Sequence, residues 1–306
     1  MPVKRPQFQV FMLHPRYWLT WLGFCLLWLI AQLPYSVLMA LGRGLGRLLL
    51  RVAKSRRKVA ARNFELCFPE LSQRERDQLL TKNFESTAIA LFESAMAWWW
   101  PKKRLEKLVQ YEGMENLENL NGQGVLMLGF HFTTLDIAGA FMNLQLPITA
   151  MYRPHKNAVY DFVQRKGRER FHKELPVVER RDVRGMAKVM KSGDMIWYAP
   201  DQDYGRKGAE FVPFFGIPAA TLTATSKFAQ LGQAKVIPIT YTRLPNDQGY
   251  RMTIHQAFDN FPTGDDYTDT ARVMAFAETR IREQPEQYLW THRRFKNRPQ
   301  GETSLY

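Results

Sequence analysis

Cysteine is nearly absent: the 306 residues hold two, Cys25 inside an apolar run and Cys67 in a separate segment. They give neither a disulfide framework nor a metal-ligand spacing, which suits a reducing compartment for the larger part of the chain. There is no internal repeat and no low-complexity linker, which excludes solenoids and arrays of modules. No zinc-finger, RNA-recognition or helix-turn-helix signature is present, so nucleic acid is not the partner that the chain points to. Acidic residues are the short supply, 29 Asp and Glu against 43 Lys and Arg, and the resulting net charge of +14 favours anionic partners such as membrane surfaces or phosphorylated lipids.

What is present begins with a long neutral run. Between Arg16 and Arg43 lie 26 residues without a single charge. At ~1.5 Å per residue a helix of that length crosses a ~30 Å hydrocarbon core. The run therefore predicts one membrane helix, with Pro34 as its kink or end; the alternative is a helix lying in the interface. Lys4, Arg5 and Arg16 precede it, and Arg43, Arg47, Arg51, Lys54, Arg56, Arg57, Lys58 and Arg62 follow with no acid among them. The positive-inside bias then puts the C-terminal part in the cytoplasm. The expected organisation is a membrane anchor with its basic flank over residues 1–45 and a cytoplasmic α/β domain over 46–306.

Further along, Ser72-Gln73-Arg74-Glu75 has the form of a capping box and opens a helix that runs to Trp98-Trp99-Trp100, before Pro101. Three adjacent tryptophans on a helix point in different directions, which leaves at least one for lipid or an acyl chain. The strongest functional signal follows, Val125-Leu126-Met127-Leu128-Gly129-Phe130-His131-Phe132-Thr133-Thr134-Leu135-Asp136. Its apolar run reads as a buried strand and Thr133 onward as the start of a helix, so His131 stands at a carboxyl strand end, where open α/β sheets place ligands. Five residues along a continuous helix would turn His131 and Asp136 roughly 140° apart, so the two meet only if His131 lies in the turn before the helix. If they meet, the carboxylate fixes the imidazole tautomer and leaves the other nitrogen as a base. Otherwise His131 caps the helix and Asp136 favours its positive end.

Three other places carry polar residues suited to a site. Arg153, after the predicted strand Ile148 to Tyr152, is placed to bind phosphate or to pair with a buried carboxylate. The basic helix Tyr160 to Lys173 crowds Arg165, Lys166, Arg168 and Arg170 around Gly167. The strand Met195 to Ala199 delivers a loop with Asp201, Asp203, Arg206 and Lys207; two acids suggest magnesium, whereas the neighbouring cations fit a phosphorylated ligand. Phe211 to Phe215, Thr221 to Leu231 and the strand Val236 to Tyr241 are candidates for the wall of an acyl pocket. The C-terminal Tyr288, Trp290, His292, Arg293, Arg294 and Lys296 suit a membrane edge.

These pieces together resemble the late acyltransferases of lipid A biosynthesis, specifically the lauroyl/palmitoleoyl-type members. The resemblance is carried by His14-Pro15-Arg16-Tyr17-Trp18-Leu19-Thr20-Trp21, the His131 to Asp136 block, Tyr152-Arg153-Pro154, Tyr198-Ala199-Pro200-Asp201-Gln202-Asp203-Tyr204-Gly205, and Pro285-Glu286-Gln287-Tyr288-Leu289-Trp290 through Lys296. Several members carry Glu where this chain has Asp136. The resemblance implies an α/β fold like that of glycerolipid acyltransferases, a mixed central sheet flanked by helices, held at the bacterial inner membrane. It implies an enzyme with no cofactor or metal that moves an acyl chain from acyl carrier protein to a hydroxyl on the 3-hydroxyacyl chains of Kdo-modified lipid IV-A, a phosphorylated glycolipid. His131 and Asp136 would be catalytic. Arg168 would meet phosphate or the developing oxyanion, with a backbone N–H near Thr133 as another oxyanion donor, and Asp201 would serve the site without metal. A lysophosphatidic acid acyltransferase shares the His131/Asp136 pair, but its Pro-Glu-Gly motif is replaced here by Pro200-Asp201-Gln202. A membrane adaptor with a basic docking face would need neither residue.

Overall fold

The computed structural model describes residues 6–118, 120–172, 178–179 and 182–306. Lys4, Arg5 and Lys173 lie outside the described residues. A helical layer comes first: α1 (Trp18–Ala31), α2 (Tyr35–Val52), α3 (Lys54–Cys67), α4 (Gln73–Trp99) and the short α5 (Lys102–Glu106). The α/β part follows with β1 (Val109–Glu112), β2 (Val125–Leu128), α6 (Leu135–Gln145), β3 (Ile148–Tyr152), α7 (Ala158–Arg168), β4 (Val178–Glu179), α8 (Val183–Lys191) and β5 (Met195–Tyr198). Then come β6 (Ala209–Phe214), β7 (Ile217–Leu222), α9 (Ala224–Gly232), β8 (Lys235–Arg243), β9 (Tyr250–Ile254) and α10 (Asp266–Glu283).

Seven strands form one sheet in the order β1-β9-β8-β2-β5-β3-β4, while β6 and β7 make a separate hairpin. Among the described residues of the sheet, only β8 and β9 pair antiparallel. The mixed central sheet flanked by helices is thus as expected. Its centre is β2, a fully buried Val-Leu-Met-Leu with β5 and β8 on either side, and a strand buried on both faces must be apolar throughout.

The single membrane helix is corrected. The neutral run divides at Gln32–Pro34: α1 ends after 14 residues, and α2 begins at Tyr35 with Pro34 as its N-cap. Fourteen residues span only ~21 Å, and α2 carries Arg43, Arg47 and Arg51. Among the described residues no helix is long and apolar enough to cross a membrane. Pro34 lacks the N–H that would continue α1 and suits a helix start instead. The chain then folds back so that α2 lies along α4. Two glycines permit the close approach: a Cβ at Gly42 would lie 2.5 Å from the Ile89 side chain, and one at Gly46 2.4 Å from the Glu85 Cα. The expected boundary at residue 45 falls inside α2, and Phe24, Leu38 and Met39 join the same apolar core as β2.

The α4 helix opens as its sequence predicts: the Ser72 hydroxyl accepts from the Glu75 amide, and the Glu75 carboxylate accepts from the Ser72 amide. Trp98 and Trp100 are buried at its far end, and the Trp100 indole donates to the Ala31 carbonyl at 2.6 Å. This bond ties α4 to the last residue of α1.

Candidate active site

The register of the sheet decides which groups meet. Leu128 of β2 stands opposite Tyr198 of β5 in a parallel pair. The ladder continues one bond further, from the Gly129 amide to the Tyr198 carbonyl at 2.8 Å. A Cβ at residue 129 would lie 2.2 Å from the Trp197 indole nitrogen, so only glycine lets the strands run on together. His131 and Asp201 each lie three residues beyond that matched pair. They leave the sheet side by side.

The His131 Nδ1 lies 2.6 Å from Asp201 Oδ1, and the His131 amide donates to Asp201 Oδ2 at 2.8 Å. Asp201 is completely buried. Burial opposes its charge, but the neighbouring His131 and the two hydrogen bonds from that residue hold its carboxyl below the ordinary value. A carboxylate only accepts, so the Nδ1 partner must carry the ring proton, and Nε2 is left as the basic nitrogen. This is the arrangement expected of His131 and Asp136, realised with a different carboxylate.

Asp136 belongs to another contact set. Its Oδ1 accepts from Arg168 Nε at 3.0 Å and also from Arg168 Nη2, and its Oδ2 accepts from the Ser94 hydroxyl at 2.7 Å. Asp136 sits in the first turn of α6, where its charge favours the helix's positive end, and the ion pair joins α6 to the end of α7. Arg168 is exposed, unlike Asp201. α7 reaches this position because residue 167 is glycine; a Cβ there would lie 2.5 Å from Trp98 Cγ.

An apolar cavity extends from the Asp136–Arg168 pair. Trp98, Gly139, Met142, Ile148, Met151 and Trp197 are among the residues lining it. Asp136, Gly139, Ala140 and Asn143 follow one face of α6 at helical spacing, so this wall is about 10 Å long. Gly139 has open space where its Cβ would project. Trp98 is thus the tryptophan that turns to the cavity. The wall expected from Phe211–Phe215, Thr221–Leu231 and Val236–Tyr241 is not among the lining residues.

Behind the turn stands the C-terminal segment. The Leu289 amide donates to the His131 carbonyl at 3.0 Å and the Thr133 amide to the Gln287 carbonyl at 2.7 Å, framing a bridge between Phe132 and Tyr288. The N–H of Thr133 itself is therefore already engaged. Tyr241 donates to the Phe130 carbonyl at 2.6 Å, and Asn83 donates to the carbonyls of Glu286 and Tyr288. Tyr288, Trp290 and Arg294 are buried, so these residues form a back wall to the site instead of a membrane edge.

The loop after β5 is held from the same side. His292 Nε2 accepts from the Asp203 amide at 3.1 Å, and burial, with Arg294 nearby, pushes its pKa down to about 4, so the ring is neutral and able to accept. Asp203 itself accepts from the Asn297 amide, the Asn297 side chain and the Gly205 amide. It shapes the loop, and its carboxylate turns to partners other than those of Asp201. Arg206 is exposed and donates to the Arg298 carbonyl at 2.6 Å; Lys207 and Arg153 are also exposed, and none of the three is among the residues lining the cavity. The clustered Arg165 is buried and paired with Glu169 at 2.9 Å.

Of the residues singled out from sequence, His131 and Asp201 are brought together, as are Asp136 and Arg168. The partners that sequence reasoning missed are Ser94, Gln287 and the roles of Tyr288 and His292. Their one visible signal is polarity at positions where helix spacing or an apolar run calls for core residues.

Comparison with known proteins agrees over nearly the whole chain. A family described as bacterial lipid A biosynthesis acyltransferase matches residues 5–297. A lipid A biosynthesis lauroyltransferase of Escherichia coli is 43% identical over 98% of this chain and 99% of its own length. A palmitoleoyltransferase of lipid A biosynthesis from the same organism is also 43% identical, over 96% of both chains. A myristoyltransferase of that pathway is 31% identical over 98% of this chain and 94% of its own.

Proposed function

The chain belongs to the bacterial lipid A biosynthesis acyltransferases, and from that premise we propose that its donor is an acyl-acyl carrier protein and its acceptor a hydroxyl on the 3-hydroxyacyl chains of Kdo-modified lipid IV-A. The observation that carries this reading is a histidine oriented by a buried carboxylate, its ring 6.3 Å from that of Trp197, which lines an apolar cavity together with Arg168.

In the proposed reaction His131 Nε2 takes the proton of the acceptor hydroxyl as that oxygen attacks the thioester carbonyl. Asp201 stabilises the imidazolium. The tetrahedral intermediate collapses with loss of the carrier's thiolate, which receives the proton from His131, leaving an ester and a thiol. Such general-base help is worth about 10²–10⁴-fold. Arg168, exposed and held by Asp136, is the candidate for the oxyanion or a substrate phosphate, and the apolar cavity is the candidate for the acyl chain. Arg153, Arg206 and Lys207 stand outside that cavity, and in this reading they serve the anionic periphery of the acceptor or the carrier.

Association with the membrane is proposed through a surface instead of a span. Trp18, Leu19, Leu22, Leu26 and Leu29 leave an exposed apolar face on α1, and Lys54, Arg57 and Lys58 are exposed on α3. An exposed apolar helix face, in a helical layer that also exposes cations, suits the cytoplasmic face of an anionic membrane, each cation near the surface contributing about 1 kcal/mol. α1 packs on α7 through its opposite face, with Thr20 accepting from the Asn157 side chain at 2.9 Å, so the helix that offers the apolar face is a neighbour of the one that carries Arg168.

The test is to incubate the purified protein with acyl-acyl carrier protein and Kdo-modified lipid IV-A and to weigh the product. A gain of one acyl chain in the lipid, lost in His131→Ala, is the expected result. Transfer to lysophosphatidic acid but not to the lipid IV-A acceptor would replace this reading with a phospholipid acyltransferase.

A further inference from the structure

The long helix α4 carries a polar stripe on its buried side. Asn83, Ser86 and Glu93 are each at most 3% exposed, and their spacing of three and seven puts them on one face. Glu93 accepts from Arg243 Nε at 2.7 Å and from the Tyr250 hydroxyl at 2.6 Å. Burial opposes the Arg243 charge, but Glu93 holds its pKa above the ordinary guanidinium value. This ion pair lies in the core between α4 and the end of β8, and it takes no part in the reaction described above.

Arg243 reaches the turn after β2 by two routes. Its Nη1 donates to the Ser86 hydroxyl at 2.9 Å, and Ser86 shares a 2.7 Å hydrogen bond with the Thr133 hydroxyl. Ser86 has a second lone pair and a proton of its own, so either hydroxyl can be the donor in that bond. By the second route the Arg243 amide donates to the Gln287 side-chain carbonyl at 2.8 Å, the Gln287 amide group donates back to the Arg243 carbonyl at 3.0 Å, and the Gln287 backbone carbonyl accepts from the Thr133 amide. Side chain and backbone of the residue two positions after His131 are thus both tied to residue 243, the first through its guanidinium and the second through its backbone.

We infer that Arg243, through Ser86 and Gln287, is the positioning residue for the turn that carries His131, with Glu93 keeping the arginine in place. The inference rests on the proposal that His131 is the base. An imidazole held at one nitrogen by Asp201 still moves with its backbone, and a displacement of ~1 Å at a reacting group can cost about 10²-fold in rate. A buried charge pair is suited to the task because it has one favourable geometry and a high cost of leaving it.

Removing Glu93 or Arg243 strands a buried charge and threatens folding, so the test is made on the neutral link. Ser86→Ala and Thr133→Val are compared with the parent in steady-state acyl transfer by the full chain. Both are expected to lose about 10- to 100-fold in kcat with KM for each substrate within about twofold. Thr133→Ser, which keeps the hydroxyl, is expected to restore most of kcat, and the double variant Ser86→Ala/Thr133→Val to be no worse than the poorer single one. Unchanged kcat in both single variants, or losses that multiply in the double variant, overturns the inference. If Ser86→Ala is too unstable to assay, the contrast between Thr133→Val and Thr133→Ser decides alone: equal kcat overturns it. His131→Ala is run beside them. Activity retained there refutes the catalytic reading itself, whereas activity lost there and kept in Ser86→Ala and Thr133→Val refutes only the positioning role.

Discussion

Asp201 and Asp136 bring the same carboxylate to the two halves of one site, and their surroundings differ. Asp201 is fully buried at the end of β5, bonded to both the ring and the backbone of His131. Asp136 is partly exposed at the head of α6 and divides its oxygens between Arg168 and Ser94. The buried half has its hydrogen bonds closed before substrate arrives. The half at the cavity presents an arginine whose side chain is 42% exposed, able to exchange contact with a substrate oxygen at small desolvation cost. Closeness along the chain favoured Asp136 as the partner of His131, and closeness across the sheet gave that place to Asp201.

The sharpest way to break this comparison is to neutralise each carboxylate in turn. In Asp201→Asn the amide oxygen remains bonded to the His131 backbone N–H, which turns the NH₂ group toward Nδ1. Nδ1 must then accept, the ring proton moves to Nε2, and the base is lost. The expected fall in kcat is about 10²–10⁴-fold, with the melting temperature recorded to exclude unfolding. Asp136→Asn should cost far less, because the tautomer is untouched. Equal losses in the two variants would remove the distinction drawn here.

Arg168→Ala comes next. If Arg168 meets the oxyanion, its loss lowers kcat about 10²–10³-fold at saturating substrates, whereas a role in ground-state phosphate binding raises KM and leaves kcat near the parent value. Steady-state kinetics with the two substrates varied separately tells these apart.

Smaller still is the effect of filling the cavity. Gly139 has open space before it, so Gly139→Leu should occupy part of the acyl path and lower kcat/KM for a long donor about tenfold while sparing a shorter one. Competition between donors of two lengths, read by product mass, measures the shift, and an unchanged ratio argues that the acyl chain lies elsewhere.

The smallest effect is on stability against pH. His292, in the buried half, has its pKa lowered to about 4, while an unfolded histidine titrates near 6.5. Between these values the unfolded chain binds the proton and the folded one does not, so stability falls as pH is lowered from about 6.5 to about 4. His255 is lowered to about 4 as well, by burial and Arg280, so His292→Asn should remove about half of that slope. Asp201, with its depressed carboxyl, acts in a lower window: its contribution is present above the unfolded value near 4 and is lost as pH falls through the folded one. Melting temperatures of parent and His292→Asn from pH 4 to 7 check the sign, and parallel curves would show that His292 is not the titrating group.

Much was legible without the structure. The capping box at Ser72 and Glu75, the strands around Val125, Ile148 and Met195, and the place of His131 just past a strand all follow from local patterns, and the structure has them. The cavity's position along α6 and the pairing of His131 did not follow. The neutral run from Tyr17 to Gly42 was misleading for a physical reason: its composition meets the demand of a bilayer, yet Pro34 divides it and Gly42 and Gly46 let the second half lie against α4.

By itself the sequence determined what each segment could be: which stretches are strands or helices, which residues end them, and that a histidine and several carboxylates stand at strand ends. Only the tertiary structure decided which of these groups meet. His131 and Asp201 are 70 residues apart and touch because β2 and β5 are parallel neighbours in a register that pairs Leu128 with Tyr198. His131 and Asp136 are five apart and take different partners because a turn and the first turn of a helix send their side chains in different directions. Strand order and register arise from the burial of whole faces, a property summed over distant segments, and no short stretch of sequence contains it.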